Sequence, residues 1–397
     1  MQLTADQQAM LEGQNGRSKQ KAMQILSTLG KIYGAEVMLP VTSVQVSGVS
    51  YANLGEAGLD WLSEMAVDGS RVKVLTTLNP AGMDIENWQV LGIDPQFARD
   101  QNRVLDAFAR MGINLTCTCT PYLIGNLPNL GDHVAWAESS AVCYANSVLG
   151  ARTNREGGPS ALAAALTGFT PAYGLHLDEN RRPTITVGVE VQPTGTWQYG
   201  VLGKAIGDRL QGQQSVPFIT GIGHASLEEL KSFCASIATY GGTGLFHMRG
   251  ITPEVDNYTA PEEVIQITQA DMQQAASKLQ KALLDEVDFV SLGCPHLTLA
   301  EVARVAELLA GKKVKKEFWI TTSRPVKRLA DYAGYTTVIE SAGAKFAVDT
   351  CCVVAPIEGR FKAMLTDSAK ACYYAQARNR FAMHILPFDD VVLEACR

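Results

Sequence analysis

Short apolar runs alternate with longer stretches of helical periodicity along almost the whole 397-residue chain, the pattern of an α/β protein. The runs RVKVLTTLNP (71–80), GINLTCTCTP (112–121), PTITVGVEV (183–191), FITGIG (218–223), TGLFHM (243–248), VDFVSLG (287–293), KEFWITT (316–322) and AKFAVDTCCVVAP (344–356) read as strands. Between them, DMQQAASKLQKALLDE puts Met272, Ala276, Leu279 and Leu283 on one helical face, with Asp271 as N-cap. TLAEVARVAELLAGKK does the same with Leu299, Val302, Val305 and Leu309. Gly311 suits the end of that helix, and Lys312 and Lys313 suit its negative pole.

The chain carries a weak internal repeat with a period of 72 residues. GIGHASLEEL (221–230) aligns with GCPHLTLAEV (293–302), Phe246 with Phe318, and Pro253 with Pro325. Both copies hold a capping box, Ser226 with Glu229 and Thr298 with Glu301, so both loops deliver the chain into a helix start. His224 and His296 match across the copies, which favours a loop-holding duty over a catalytic one. Cys294 has no such match, because Ile222 stands in its place. The scaffold therefore does not demand sulfur there, which makes Cys294 a candidate for chemistry.

Composition narrows the class. Hydrophobic residues make up 46% of the chain and charged residues 19%, enough to bury a large interior, and the length predicts about two or three domains. No apolar run approaches the roughly 20 residues of a membrane span, and the N-terminal stretch lacks a secretory layout. A cytoplasmic protein is expected. The net charge of −6, with GKKVKK (311–316) as the one short basic run, argues against nucleic acid as a partner. That run reads as a solvated helix end.

Nine cysteines in a reducing compartment are not expected to pair, and no C-x-x-C motif signals a zinc ribbon or a thioredoxin-type site. Cys119, Cys294 and Cys351 stand at or near the ends of predicted strands, where α/β sheets place their ligands. Three thiolates from three loops suit an iron–sulfur cluster with one iron left free of protein. A zinc site and three unrelated core thiols are the alternatives. The segment 131–168 gathers His133, Glu138, Ser139, Ser140, Asn146, Arg152, Asn154, Arg155 and Glu156, which fits a lined cleft or a capped, salt-bridged helix pair. Gly157 and Gly158 lead into Pro159, a helix start able to hold an anion. Gly48 and Ser50 in SVQVSGVSY and Asn79 in TLNP sit on further loops.

The stretch CTPYLIGNLPNLGDHVAWAESSAVCYANSVLGARTNREGGPSAL, with SGVSY, GCPH, VDTC and TDSAKACYYA in order around it, resembles aconitase X, the divergent branch of the aconitase superfamily. The likeness runs over essentially the whole chain. It implies a multi-domain, aconitase-like α/β fold of mostly parallel sheets flanked by helices. Expected units are 1–130 with Cys119, 131–285 with the polar segment, and 286–397 with Cys294 and Cys351. The resemblance also implies an iron–sulfur hydro-lyase acting on a small hydroxy acid. Its cluster cysteines fall on Cys119, Cys294 and Cys351, beside Cys117 and Cys352. The implied cluster is 4Fe–4S with one open iron, with 2Fe–2S or a single iron as alternatives. Substrate contacts fall on Gly48, Val49, Ser50, Leu78, Asn79, Glu138, Ser139, Ser140, Ser368 and Lys370.

Within this family, members dehydrate cis-3-hydroxy-L-proline or mevalonate 5-phosphate. No added basic cluster for a phosphate is visible, so hydroxyproline is the first expectation. The family's base is a serine on a small swivelling domain, fused or separate. Since the sequence closes soon after FDDVVLEACR, a separate small subunit is expected. A non-catalytic iron–sulfur sensor is the competing class. A redox carrier would need a fourth thiolate, for which Cys143 is the spare, and a zinc hydrolase lacks a local ligand motif.

Overall fold

The computed structural model describes residues 1–210, 212 and 215–397. Five strands come first: β1 (Met38–Pro40), β2 (Ser43–Val46), β3 (Leu75–Leu78), β4 (Val134–Trp136) and β5 (Phe169–Pro171). Strands β3, β2 and β4 form a parallel sheet in that order, and β1 pairs β5 antiparallel. Four parallel strands follow, β6 (Ile185–Val189), β7 (Pro217–Thr220), β8 (His247–Met248) and β9 (Val264–Ile267), in the order β8-β7-β6-β9. The last sheet contains β10 (Phe289–Leu297), β11 (Glu317–Thr322), β12 (Lys345–Val348), β13 (Ala363–Thr366) and β14 (Ala382–Ile385). It is wholly parallel, in the order β12-β11-β10-β13-β14.

The boundary expected at 130 falls inside the first sheet. Strand β4 pairs β2, with Gln45 opposite Trp136, so the polar segment that follows belongs to the first unit and not to the central one. One buried cluster joins all three units through Trp136, Val187 and Phe289; separate cores lie under the first and third sheets.

Strand order explains where ligands can bind. In the third sheet the chain runs outward one way through β11 and β12, then returns to the other side of β10 with β13. The crevice beyond the carboxyl ends of β10 and β13 is therefore a topological switch point. A second one lies between β2 and β4.

Both repeat copies are parallel strand–helix–strand units with the expected capping boxes, at Ser226 with Glu229 and Thr298 with Glu301. The shared glycine is a steric requirement. Gly221 has φ +92° and a Cβ there would lie 2.1 Å from the Val189 carbonyl oxygen; Gly293 has φ +105° and a Cβ would lie 2.2 Å from that of Thr321. Gly293→Ala is accordingly expected to cost at least about 2–3 kcal/mol, read as a lowered midpoint in denaturant unfolding.

Some elements differ from expectation. The run 112–121 is extended but makes only an isolated bridge, Thr77 with Asn114, because Cys117 at φ 42° turns the chain off the ladder. The helix at 269–279 is capped by Thr268, with Asp271 completing its capping box from inside. Leu283 lies beyond that helix and is exposed. Lys312 does bond the Leu308 carbonyl at a helix end, while Lys313 reaches Ser341 at the end of another helix.

Candidate metal centre and active site

The first and third sheets present their carboxyl ends to each other. After β2 comes the loop Gly48–Ser50, after β3 Asn79, and after β4 Glu138, which caps the helix Ser139–Ser147. Beyond β12 stands Cys351, and beyond β13 stand Ser368 and Lys370, Ser368 capping the helix Ala369–Asn379. Cys294 lies on a bulge inside β10: Leu292 pairs Ile320 but the next pairing is Leu297 with Thr322. The Thr321 hydroxyl donates to the Gly293 carbonyl at 2.6 Å and lies 3.0 Å from that of Leu292, pinning the bulge.

Across this cleft Lys370 Nζ donates to Glu138 Oε1 and lies 3.4 Å from the Ser140 hydroxyl. Asn79 Nδ2 donates to Glu138 Oε2 at 2.7 Å, and the Ser140 and Ser139 hydroxyls reach Oε1 at 3.1 and 3.4 Å. Burial alone would raise the Glu138 carboxyl, but the Lys370 charge and the hydrogen bonds from Lys370, Asn79 and Ser140 bring it down to about 2. Burial would lower Lys370, yet Glu138 and the nearby cysteines hold it above its ordinary value. The pair is therefore ionised across the whole physiological range. Because the Asn79 amide nitrogen is committed to a carboxylate, its Oδ1 is fixed as an acceptor, and that buried atom has no partner among the described residues.

The three thiols share this environment. Burial pushes Cys119 and Cys294 up to about 12, and Cys351 is raised for the same reason. They also feel one another: Cys294 raises Cys119, Cys351 raises Cys294, and Cys119 raises Cys351. Lys370 acts in the opposite sense on Cys119 and Cys294. Thiols this far from ionising become good ligands only when a metal replaces their protons. No three His, Cys, Asp or Glu side chains among the described residues converge enough to hold a single metal ion. The donor set, three soft sulfurs with Lys370 acting on two of them, fits a cluster whose separate irons each take one cysteine.

The other cysteines stand apart. Cys143 lies against Cys234 in the shared core and is no fourth ligand; Cys117 faces Asp349 and Arg324. Cys352 lies in the shared core, where burial pushes its thiol up and Cys294 adds to that rise.

The remaining expected contacts divide. Ser50 Oγ donates to the Val354 carbonyl at 3.0 Å, tying its loop to that of Cys351, and Ser368 Oγ donates to the Cys294 carbonyl. Gly48 is half-buried at φ 77°, whereas the Val49 side chain is in the core. Leu78 is fully buried, and its N–H and carbonyl meet the Thr116 hydroxyl and the Thr118 N–H. Of the polar segment Glu138, with Ser139 and Ser140 bonded to it, meets Lys370 at the cleft, and Arg155 is exposed. Asn146, Arg152, Asn154 and Glu156 make internal hydrogen bonds, Asn146 and Arg152 within a network of Arg181, Asp178 and Glu254.

Sequence reasoning missed the groups that clamp the loops. Arg324 joins Asp84 and Glu86 of the first unit, at 2.8 and 2.9 Å, to Asp349 beside Cys351. Lys231, buried mid-helix, holds the His296 carbonyl at 2.9 Å and Glu301 at 2.5 Å. A lysine among Leu230, Phe233 and Cys234 was the available signal.

Fold and site together define an α/β enzyme with its reaction centre between two facing parallel sheets. Comparison with known families agrees: residues 1–179, 183–277 and 287–397 match the aconitase X first, second and third domains. The chain belongs to the aconitase X family and is a dehydratase, a hydro-lyase. It is 47% identical over 376 residues to the phosphomevalonate dehydratase large subunit of Methanothermobacter thermautotrophicus, covering 94% of this chain and 93% of that one. To the cis-3-hydroxy-L-proline dehydratase of Pseudomonas aeruginosa it is 32% identical, over 94% of this chain and 66% of that protein. The crystal structure of Thermococcus kodakaraensis aconitase X in its holo-form is similar throughout, with TM-score 0.93, 42% identity and full coverage of both chains. Among the described residues no helix is long and apolar enough to cross a membrane.

Proposed function

We propose that the chain is the cluster-bearing large subunit of a two-subunit dehydratase acting on mevalonate 5-phosphate, with an iron–sulfur cluster on Cys119, Cys294 and Cys351. The observation that supports this reading is that Cys119, Cys351 and the half-buried Cys294 lie within electrostatic reach of one another, Lys370 acting on two of them, beside the ionised Lys370–Glu138 pair and the unpartnered Asn79 Oδ1. The substrate reverses the order expected from sequence. Relatives named phosphomevalonate dehydratase are 43–47% identical over nearly their full length in four cases, against 32–33% for the hydroxyproline enzymes. The missing basic cluster was a poor guide, because backbone N–H groups and hydroxyls bind phosphate without lysine or arginine.

When bound, a 4Fe–4S cluster with one iron free of protein supplies a Lewis acid for the departing hydroxyl. Lys370, whose ammonium keeps a hydrogen beyond its bonds to Glu138 and Ser140, supplies a donor for the substrate carboxylate, and Asn79 Oδ1 accepts from its hydroxyl group. Such fixing removes much of the orientational cost of the reaction. Glu138 orients Lys370 and Asn79; with all its oxygens engaged it is no free base. The base belongs to the small subunit. The name large subunit among the relatives supports that partner, as does the hydroxyproline enzymes' extra length beyond the region matched.

The test is a paired assay, anaerobic, with and without the small subunit, offering both substrates. Dehydration of mevalonate 5-phosphate only in the complex is expected. Preference for cis-3-hydroxy-L-proline would overturn the substrate, and full turnover by the lone chain would overturn the two-subunit reading.

A further inference from the structure

Three loops carry the three thiols, and one residue ties all three loops together. His296 stands two positions after Cys294 and is wholly buried. Its backbone N–H donates to Cys119 Sγ at 3.2 Å. Its ring Nε2 lies 2.9 Å from the Thr350 carbonyl, next to Cys351, and its Nδ1 lies 2.9 Å from the Thr118 hydroxyl, next to Cys119.

These partners settle the tautomer. A carbonyl can only accept, so Nε2 carries the proton and Nδ1 accepts from Thr118. The Thr118 oxygen is then free to accept from the Thr120 N–H at 3.2 Å and lies 3.1 Å from the Thr120 hydroxyl. Behind the ring, the His296 carbonyl takes the Lys231 ammonium. Every polar atom of the residue is thus committed, at one fixed orientation.

The internal repeat supplies a control. His224 occupies the matching position, yet it is exposed, and its carbonyl accepts from Tyr199 at 2.5 Å with no cysteine loop in contact. Ile222 replaces Cys294 in that copy. The cysteine and the buried, doubly bonded ring occur together in one copy and are absent together in the other. The histidine itself recurs in both copies, so what goes with the cysteine is its burial and its two ring hydrogen bonds.

We propose that His296 is the positioning residue that locks the loops of Cys119 and Cys351 onto that of Cys294, setting the spacing of the three thiols before any metal arrives. Its purpose rests on the cluster reading given above; its mechanics do not. Partners that orient metal ligands typically change affinity by about 10–100-fold when removed.

The test uses the full chain in its metal-free form and after anaerobic reconstitution. Hydrogen exchange by mass spectrometry follows loops 116–122 and 348–355, and iron and sulfide are counted after gel filtration. His296→Ala is expected to speed exchange about tenfold in both loops and to shorten cluster retention about tenfold or more. His296→Gln can still donate to the Thr350 carbonyl, so it should rescue 348–355 and leave 116–122 loose. Thr118→Val should loosen 116–122 alone. Unchanged exchange and retention in a folded His296→Ala chain would overturn the proposal. Should that variant not fold, even loosening of the whole chain in the Gln and Val variants would do the same. A wild-type chain that takes up no iron while showing this loop pattern would sink the cluster reading and leave the loop-locking intact.

Discussion

Serine in place of Cys119, Cys294 or Cys351, one at a time, is expected to remove the cluster and lower turnover about a thousandfold or more. A metal that takes up charge on a leaving oxygen is worth several kcal/mol of barrier, and each 1.36 kcal/mol is about tenfold. The three positions should behave alike, since each thiol lies within electrostatic reach of another of the set. Cys143→Ala should keep the cluster, because Cys143 packs against Cys234 in the core. Cys352→Ser should also keep it, since that thiol packs in the shared core. Iron and sulfide counts on the purified variants check both sets. Loss of the cluster in Cys143→Ala would mean a fourth protein ligand and no free iron.

The second large effect is on stability. Lys370→Met leaves the Glu138 carboxylate buried without its cation, at an expected cost of about 3–5 kcal/mol. The wild-type pair should be flat in the middle of the pH range. Glu138 is depressed below its ordinary 4.5, so its contribution is present above 4.5 and fades as pH falls toward 2. Lys370 is raised above its ordinary 10.5, so its contribution is present below that value and fades only at higher pH. Without the lysine, burial becomes the dominant influence on Glu138 and moves it upward. The variant should then lose stability as pH rises from 5 to 8, where the wild type does not. Denaturant unfolding at the two values measures this, and a variant as flat as the parent would contradict it.

Much of the architecture was legible because it follows from local rules. Both capping boxes and the strand–helix–strand repeat depend on residues within a few positions of each other, and they fold as read. The three cysteines were legible as strand-end residues for the same reason. Pairing was not. GINLTCTCTP has a strand-like composition, yet one left-handed residue, Cys117, takes it off the sheet and swings Cys119 into the cleft. The polar segment 131–168 could not be divided by pattern, since only the strand order reveals that Glu138 ends β4 at the cleft while Arg152 and Asn146 join Arg181. Lys231 and Arg324 act across 65 or more and 240 positions respectively, in contacts that no local signal encodes.

Mössbauer spectroscopy of the chain reconstituted with ⁵⁷Fe, alone and with mevalonate 5-phosphate in the complex, reads the reaction centre itself. Three protein sulfurs on a cube leave one iron chemically distinct, and its signal should shift when substrate is added while the others stay put. Irons that are all equivalent and indifferent to substrate would contradict dehydration at the open iron of a cluster whose other irons are held by Cys119, Cys294 and Cys351.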